Sequence, residues 1–352
     1  VLNRTAGVRY PEEGSLDDVR AGLGEATKRL KPGRNQAGRM VPCPPLMHGS
    51  GAFTTFATLD SGGSVVLLAG RSFDPVELLA TIEGMRITEV MIVGDAFAKP
   101  ILRELDAHPG RWDLSSLWLM VSSGVMWAAE TKEGLLRHNP GMLCVDTLGS
   151  SEAIGIARSR SSRKATASTG GFTLGDGARV ITDDGRDVVP GSGDMGLVAV
   201  RGRTPIGYYK DPEKTAATFR MIDGVRWSVP GDWATVDADG SVRLLGRGSA
   251  CINTGGEKVF PEEVEEALKT HPSVRDAVVV GVPDERFGEA IVALVEPAGG
   301  ASLDGAELIA HVKGRLASYK APKRVLTIPT IGRDTNGKVD YRRLKAEAAD
   351  RL

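Results

Sequence analysis

Beyond residue 41 the apolar residues come in runs of strand length, separated by stretches with helical spacing. SVVLLAG at 64–70 reads as a buried strand. DPVELLATIEGMR at 74–86 reads as an amphipathic helix, with Asp74 as its cap and Pro75 at the first position. ITEVMIVG at 87–94 is the next strand, followed by a helix over 95–107. LWLMVSSG at 117–124 is a strand entering a turn, a helix runs on to 138, and MLCVDTLGSSE at 142–152 is a strand ending in a polar loop. Strands alternating with helices predict an α/β fold with a largely parallel sheet covered on both faces.

The pattern changes after about 165. Residues 178–202 show short alternating strands with Asp-Gly and Gly-rich turns, an antiparallel meander, and WATVDADGSVRLLGR at 233–247 reads as a hairpin closed near Asp239-Gly240. Beyond Arg247 a new unit begins: helix 261–271, strands 276–282 and 290–297, helix 303–317 and a basic tail make a small α+β domain. The expected division is 1–248, with 178–248 as an antiparallel β subdomain, and 249–352. Residues 1–40 are polar and punctuated by Gly and Pro, with one helical stretch near 16–30.

At 352 residues two or more domains are expected. Lys+Arg 44 against Asp+Glu 45 gives a formal net charge of −1, which draws the chain neither to nucleic acid nor to an anionic membrane. Cys43, Cys144 and Cys251 are odd in number and far apart, so they suggest neither a disulfide framework nor a zinc site and point to a reducing, cytoplasmic setting. The longest apolar runs are too short to span a membrane, and no secretory signal or anchor is visible. The chain starts at Val1 without methionine, which fits a fragment.

Six motifs occur in order: PPLMHGSG at 44–51, SSG at 122–124, DTLGSSE at 146–152, GDW at 231–233, GRGSACINTGGEKVFPEEVEE at 246–266 and TNGKVD at 335–340. Their order and spacing resemble the adenylate-forming (AMP-binding) superfamily, which includes acyl- and aryl-CoA ligases, carrier-loading adenylation domains and luciferases. The resemblance covers nearly the whole chain from residue 41. It implies a large, here truncated, N-terminal domain and a mobile C-terminal domain. The implied activity joins a carboxylic acid to CoA through an acyl-AMP, with ATP, AMP, Mg²⁺ and CoA as cofactors and cosubstrates; a homodimer is left open. The first step brings two anions together, so it calls for cations and hydrogen-bond donors.

By this resemblance Glu152 holds Mg²⁺, and Ser151 offers its hydroxyl to the α-phosphate. Ser122, Ser123 and Gly124 wall the adenine. Thr147, Leu148, Gly149 and Ser150 complete the nucleotide loop, with Leu148 standing where relatives usually carry a stacking aromatic. Asp232 accepts from the ribose hydroxyls, and Arg247 reaches the ribose and phosphates. Lys338 contacts the carboxylate and α-phosphate during adenylation. Gly255 and Gly256 line a pantetheine channel, and His48 gates carboxylate entry. Ser249 occupies the hinge position, where an Asp or Lys is usual. Each has a plainer reading: a solvated loop carboxylate, a strand-to-helix turn, an Asx-type turn, a surface lysine, a β-turn before Pro261. Met126 and Trp127 line either the acyl pocket or the core.

Relatives carry a Ser/Thr/Gly-rich loop ending in lysine, upstream of the first motif, that cradles the β- and γ-phosphates. Residues 1–40 contain no such loop; GRNQAGR at 33–39 has the glycines without the hydroxyls. Adenylation by this chain alone is therefore expected to be poor. The motifs most resemble actinobacterial ligases for fatty acids and steroid-derived side-chain acids. Loading of a carrier protein, or a catalytically silent nucleotide- or acyl-binding module, remain as alternatives.

Overall fold

The computed structural model describes residues 8–9, 38–70, 72–164, 171–202, 204–299, 301–334 and 339–352. The expected helix near 16–30 lies outside the described residues, as does Lys338. The chain forms two compact units: 1–230 with 236–243 and 335–337, and 231–235 with 244–334 and 338–352.

In the first unit β2 (Arg39–Pro42), β3 (Ser64–Val65), β4 (Glu89–Ile92), β5 (Leu119–Ser123) and β6 (Leu143–Leu148) are parallel, in the order β3-β2-β4-β5-β6. The expected strand over 64–70 is thus reduced to its first two residues, paired with Arg39 and Met40 of β2, and Val66 N makes the last bond to that strand, on Met40 O at 2.9 Å. Helices α1 (Gly49–Asp60), α2 (Pro75–Met85), α3 (Gly94–Ala107) and α4 (Ala129–His138) supply the crossovers. α2 starts as its sequence dictates: Asp74 accepts from Val76 N, Pro75 takes the position whose N–H has no helical partner, and Arg86 ends the helix at φ 51°.

One core joins Leu78, Leu79 and Ile82 of α2, Phe97, Ile101 and Leu105 of α3, and Leu135 and Leu136 of α4 to Val90, Ile92, Met120 and Cys144 of the sheet. The other sheet face is covered only in part. Met40 and Met91 are buried outside that core, and α1 packs along β2, β3 and β4. Leu119, Val121, Leu143 and Val145 stay partly exposed. The expected double cover therefore holds at β2 and β4 but not at β5 and β6 among the described residues.

The switch to antiparallel pairing comes earlier than the composition implied. β7 (Ala157–Ser161) already runs antiparallel to β6, and β8 (Gly171–Leu174) antiparallel to β7. β9 (Ala178–Ile181), β10 (Met195–Arg201), β12 (Phe219–Ile222) and β13 (Val225–Ser228) form the meander. The two-residue strands β1 (Val8–Arg9) and β11 (Gly207–Tyr208) pair, and α5 (Pro212–Thr218) follows. β14 (Asp232–Val236) and β15 (Val242–Arg247) form the expected hairpin; its tip belongs to the first unit and its base to the second.

The second unit is built on β18 (Val274–Asp284) and β19 (Gly288–Pro297), a long antiparallel pair flanked by β16 (Ile252–Thr254), β17 (Glu257–Val259) and β20 (Arg324–Thr327). On one face α6 (Pro261–Lys269) and α7 (Gly305–Lys313) pack over Ala277, Val279, Ile291, Ala293 and Val295. On the other, Leu344 and Ala348 of α8 (Tyr341–Asp350) pack over Val278, Val280, Val292 and Leu294. Cover on both faces explains why the two strands are apolar without alternation. The basic tail is thus a helix: Asp340 caps it by accepting from Arg342 N and Arg343 N, and its apolar i, i+4 pair faces the sheet.

Beneath the ends of β5 and β6 lies a buried ion pair, Lys132 Nζ to Asp146 Oδ2 at 3.6 Å, with Lys132 also 5.5 Å from the Trp127 ring centroid. Burial pushes the Asp146 carboxyl up from 3.8 to about 6, against the opposing pull of Lys132. Lys132→Met strands that carboxylate and should lower unfolding free energy by about 3–5 kcal/mol, while adding Asp146→Leu should restore most of it, as urea melts would show. Between pH 4 and 6 the native state holds a proton that the unfolded chain has released. Stability from this group should therefore be full below about pH 4 and fall as pH rises through 6, and Asp146→Asn should flatten that slope.

Candidate nucleotide site

Parallel register brings two of the motifs side by side. Ser122 lies opposite Asp146 and Ser123 opposite Thr147, so SSG and TLGSSE leave the sheet together at the carboxyl ends of β5 and β6. Open α/β sheets bind ligands at such ends. Three strand ends are tied there. Gly94 N donates to Ser122 Oγ at 2.9 Å, and Thr147 Oγ1 donates to Ser122 O at 2.9 Å. Ser122 is fully buried, so its hydroxyl serves the fold, leaving Ser123 and Gly124 (φ 97°) at the turn. Gly94 has φ 48°, and a Cβ there would lie 2.4 Å from Met126 O. That close approach seats the turn after β5 on the start of α3.

Leu148, partly buried, ends β6. Beyond Gly149, Ser150 N donates to Ala153 O at 2.8 Å and Ala153 N returns to Ser150 O at 3.3 Å, which puts Ser151 and Glu152 at the tip of a closed loop. Tyr208 OH donates to Glu152 Oε1 at 2.5 Å. Trp127 is fully buried and belongs to the core, whereas Met126 is partly exposed. His48 sits at the N-cap of α1 without a side-chain cap bond, and Met47, Phe53 and Phe56 near it are exposed.

The second unit holds the other candidates. Asp232, 6% exposed, receives Arg247 Nε at 3.1 Å across the base of the β14–β15 hairpin. The two predicted ribose contacts are therefore neighbours, with the guanidinium more than half exposed. Trp233 packs near Phe260 at 6.4 Å between centroids, with Lys258 Nζ 4.3 Å from its ring centroid. Glu262 lies against Gly246, where a Cβ would meet its Oε2 at 2.3 Å. Burial first, then the charge of Glu265, pushes its carboxyl up to about 7. Gly255 (φ 61°) and Gly256 (φ 87°) form the two-residue turn of the β16–β17 hairpin, in register Thr254 to Glu257. Two positive φ values in that loop account for both glycines locally.

Tyr208 was not among the residues singled out from sequence. Its signal lay in GYYKDPEKT at 207–215, where Asp211-Pro212 announces a capped helix just after a Gly-Tyr pair. No helix among the described residues is long and apolar enough to cross a membrane.

These strand-end loops lie at the carboxyl ends of an open α/β sheet, where such folds bind ligands. The family model for AMP-binding enzymes matches residues 19–209, and that for the AMP-binding enzyme C-terminal domain matches 263–338. The first match covers more than half of the chain, which belongs to the AMP-binding enzyme family. The chain is similar to the medium/long-chain-fatty-acid–CoA/3-oxocholest-4-en-26-oate–CoA ligase of Mycolicibacterium smegmatis, at 44% identity over 88% of this chain and 57% of that protein. It is also similar to the 3-oxocholest-4-en-26-oate–CoA ligase of Rhodococcus rhodochrous, at 43% identity over 86% of this chain and 55% of that protein. Among solved structures, the amide bond synthetase McbA from Marinactinospora thermotolerans aligns with TM-score 0.76 and 30% identity, over 94% of this chain and 65% of that one. ATP-bound MatB from Rhodopseudomonas palustris aligns with TM-score 0.77 and 27% identity, over 96% and 65%. The chain spans a little over half the length of the curated relatives it matches.

The Gly94 contact makes a test of how the strand ends are tied. Gly94→Ala adds a methyl group against backbone oxygens at a positive φ, and should cost about 1–3 kcal/mol in thermal or urea unfolding. Gly110→Ala, at φ 74° with nothing within 4 Å of the added carbon, should cost less.

Proposed function

We propose that the complete protein is an AMP-forming acyl-CoA ligase and that this chain carries its adenine, ribose and thiol-handling parts. In the first half-reaction a carboxylate oxygen attacks the α-phosphorus of ATP, forming acyl-AMP as pyrophosphate leaves. In the second, the CoA thiol attacks the acyl carbon, AMP leaves and the thiol proton is released. The observation that carries this reading is the pairing of SSG with TLGSSE at one sheet edge, with Glu152 at the loop tip.

Each residue has its task in this reading. Ser123, Gly124, Leu148 and Gly149 bound the adenine, with Ser122 fixing the strand end beneath them. Thr147 ties the two strands, while Ser150 and Ser151 present hydroxyls to the phosphate region. Asp232 and Arg247 hold the ribose, and the exposed guanidinium reaches toward phosphate. Lys338 brings a cation to the carboxylate and α-phosphate from the mobile domain 249–352, the kind of contact that has to leave after one step. Gly255 and Gly256 give pantetheine close access to backbone, and His48 gates the acid.

Mg²⁺ fits this donor set. It binds one or two carboxylates together with phosphate oxygens, and the described residues hold no group of three or more His, Cys, Asp or Glu that could retain an ion alone. A single carboxylate, Glu152, suits a cation that arrives with nucleotide. Bound there, Mg²⁺ offsets charge on the phosphates. The relatives' names point to a medium- or long-chain fatty acid or a steroid side-chain acid as substrate, and the three free thiols suit a cytoplasmic enzyme.

The test is thioester formation by the complete gene product from ATP, CoA and a panel of fatty, aryl and steroid acids. Lys338→Ala should lower the rate about 10²–10³-fold, and this chain alone should show little ATP–pyrophosphate exchange. Transfer only to a phosphopantetheine carrier would favour carrier loading. Nucleotide binding with no adenylate from any acid would leave a binding module.

A further inference from the structure

We propose that Tyr208 is a positioning residue for the nucleotide site: its hydroxyl holds the Glu152 carboxylate in the orientation that receives the phosphate-bound cation. The inference rests on the reading of Glu152 as the cation ligand, and extends it to a residue 56 positions along the chain.

The phenol is held from several directions. Tyr208 N donates to Thr215 Oγ1 at 2.8 Å, and that hydroxyl donates to Asp211 O at 2.6 Å. Asp211 in turn caps α5 by accepting from Lys214 N at 3.0 Å. Gly207 lets the strand close on this turn, since a Cβ there would lie 2.5 Å from Thr215 Cγ2. The ring packs on Phe219 at 5.8 Å, and Arg226 lies 4.5 Å over Phe219 while donating to Thr204 Oγ1, Pro205 O and Ile206 O. A knot of this kind fixes a side chain more firmly than a loop glutamate can fix itself.

The chemistry suits the task. A phenol donates one hydrogen to one carboxylate oxygen, and a carboxylate can accept at both oxygens, so orienting Glu152 in this way is compatible with its binding a cation. Lys214 Nζ lies 4.0 Å from the Tyr208 ring centroid, where it draws density from the ring and strengthens the O–H as a donor. Hydrogen bonds that orient a metal-binding side chain typically change metal affinity or activity by about 10–100-fold when removed.

Calorimetry of ATP binding to the complete gene product, with Mg²⁺ and with EDTA, tests the proposal without turnover. Mg²⁺ should tighten ATP binding to the wild-type protein, and Glu152→Gln should abolish that gain. Tyr208→Phe should reduce the gain about 10-fold, with EDTA-condition binding and the thermal midpoint unchanged. The double variant should lose no more than Glu152→Gln alone. If Glu152→Gln keeps the Mg²⁺ gain, or the wild type shows none, the reading of Glu152 falls and the inference with it. If Glu152→Gln loses the gain while Tyr208→Phe keeps it, only the inference is overturned. A Tyr208→Phe variant that loses EDTA-condition affinity or thermal stability in step with the Mg²⁺ gain makes Tyr208 a structural residue and overturns it as well.

Discussion

The parallel ladder between β5 and β6 is what the rest of the site depends on, because it sets the ends of two motifs twenty-odd residues apart at the same height on one edge of the sheet. A one-residue slip of β5 would turn Ser122 out of the core and put Ser123 into it, and a slip of β6 would do the same with Asp146 and Thr147. The register is pinned by buried polar groups. Ser122 accepts from the start of α3, Thr147 donates back to Ser122 O, and Asp146 meets Lys132 from α4. Polar groups at such depth are tolerated only when paired. Their pairing therefore selects one register, where apolar residues alone would accept neighbouring ones.

Around that ladder the strand-end loops divide the work. The turn after β5 is glycine-dependent and tight, pressed on α3 by Gly94. The loop after β6 closes on itself through Ser150 and Ala153 and leaves Glu152 at its tip. A short, self-closed loop presents one carboxylate and cannot form a cage. In the proposed reading that suits a cation carried in by a polyphosphate rather than one resident in the protein. Tyr208 reaches this loop from elsewhere in the same unit and donates to Glu152.

The second unit follows a different logic. Its central pair β18–β19 is apolar on both faces because α6 and α7 cover one and α8 the other. On α6 the buried Glu265 accepts from Val279 N at 3.0 Å and from Tyr341 OH at 3.1 Å. Asp276 is held low in pKa, despite burial, by two bonds from Arg333 at 2.6 and 2.8 Å.

Local rules made part of this protein legible in its amino-acid order. Apolar periodicity placed α2, α3, β4, β5 and β18, Asp74-Pro75 placed a helix start, and six ordered motifs identified the family and most of the candidate residues. It misjudged SVVLLAG at 64–70, where apolar character exceeds the ladder available, and the final segment, where basic residues hid the Leu344–Ala348 stripe. Three facts emerged only from the folded chain: Ser122 uses its hydroxyl inside the core, Trp127 and Lys132 are buried together, and Tyr208 reaches Glu152. Those facts depend on which residues distant in the chain meet. Such meetings are set by register and packing across elements, and no local pattern of hydrophobic and polar positions encodes them.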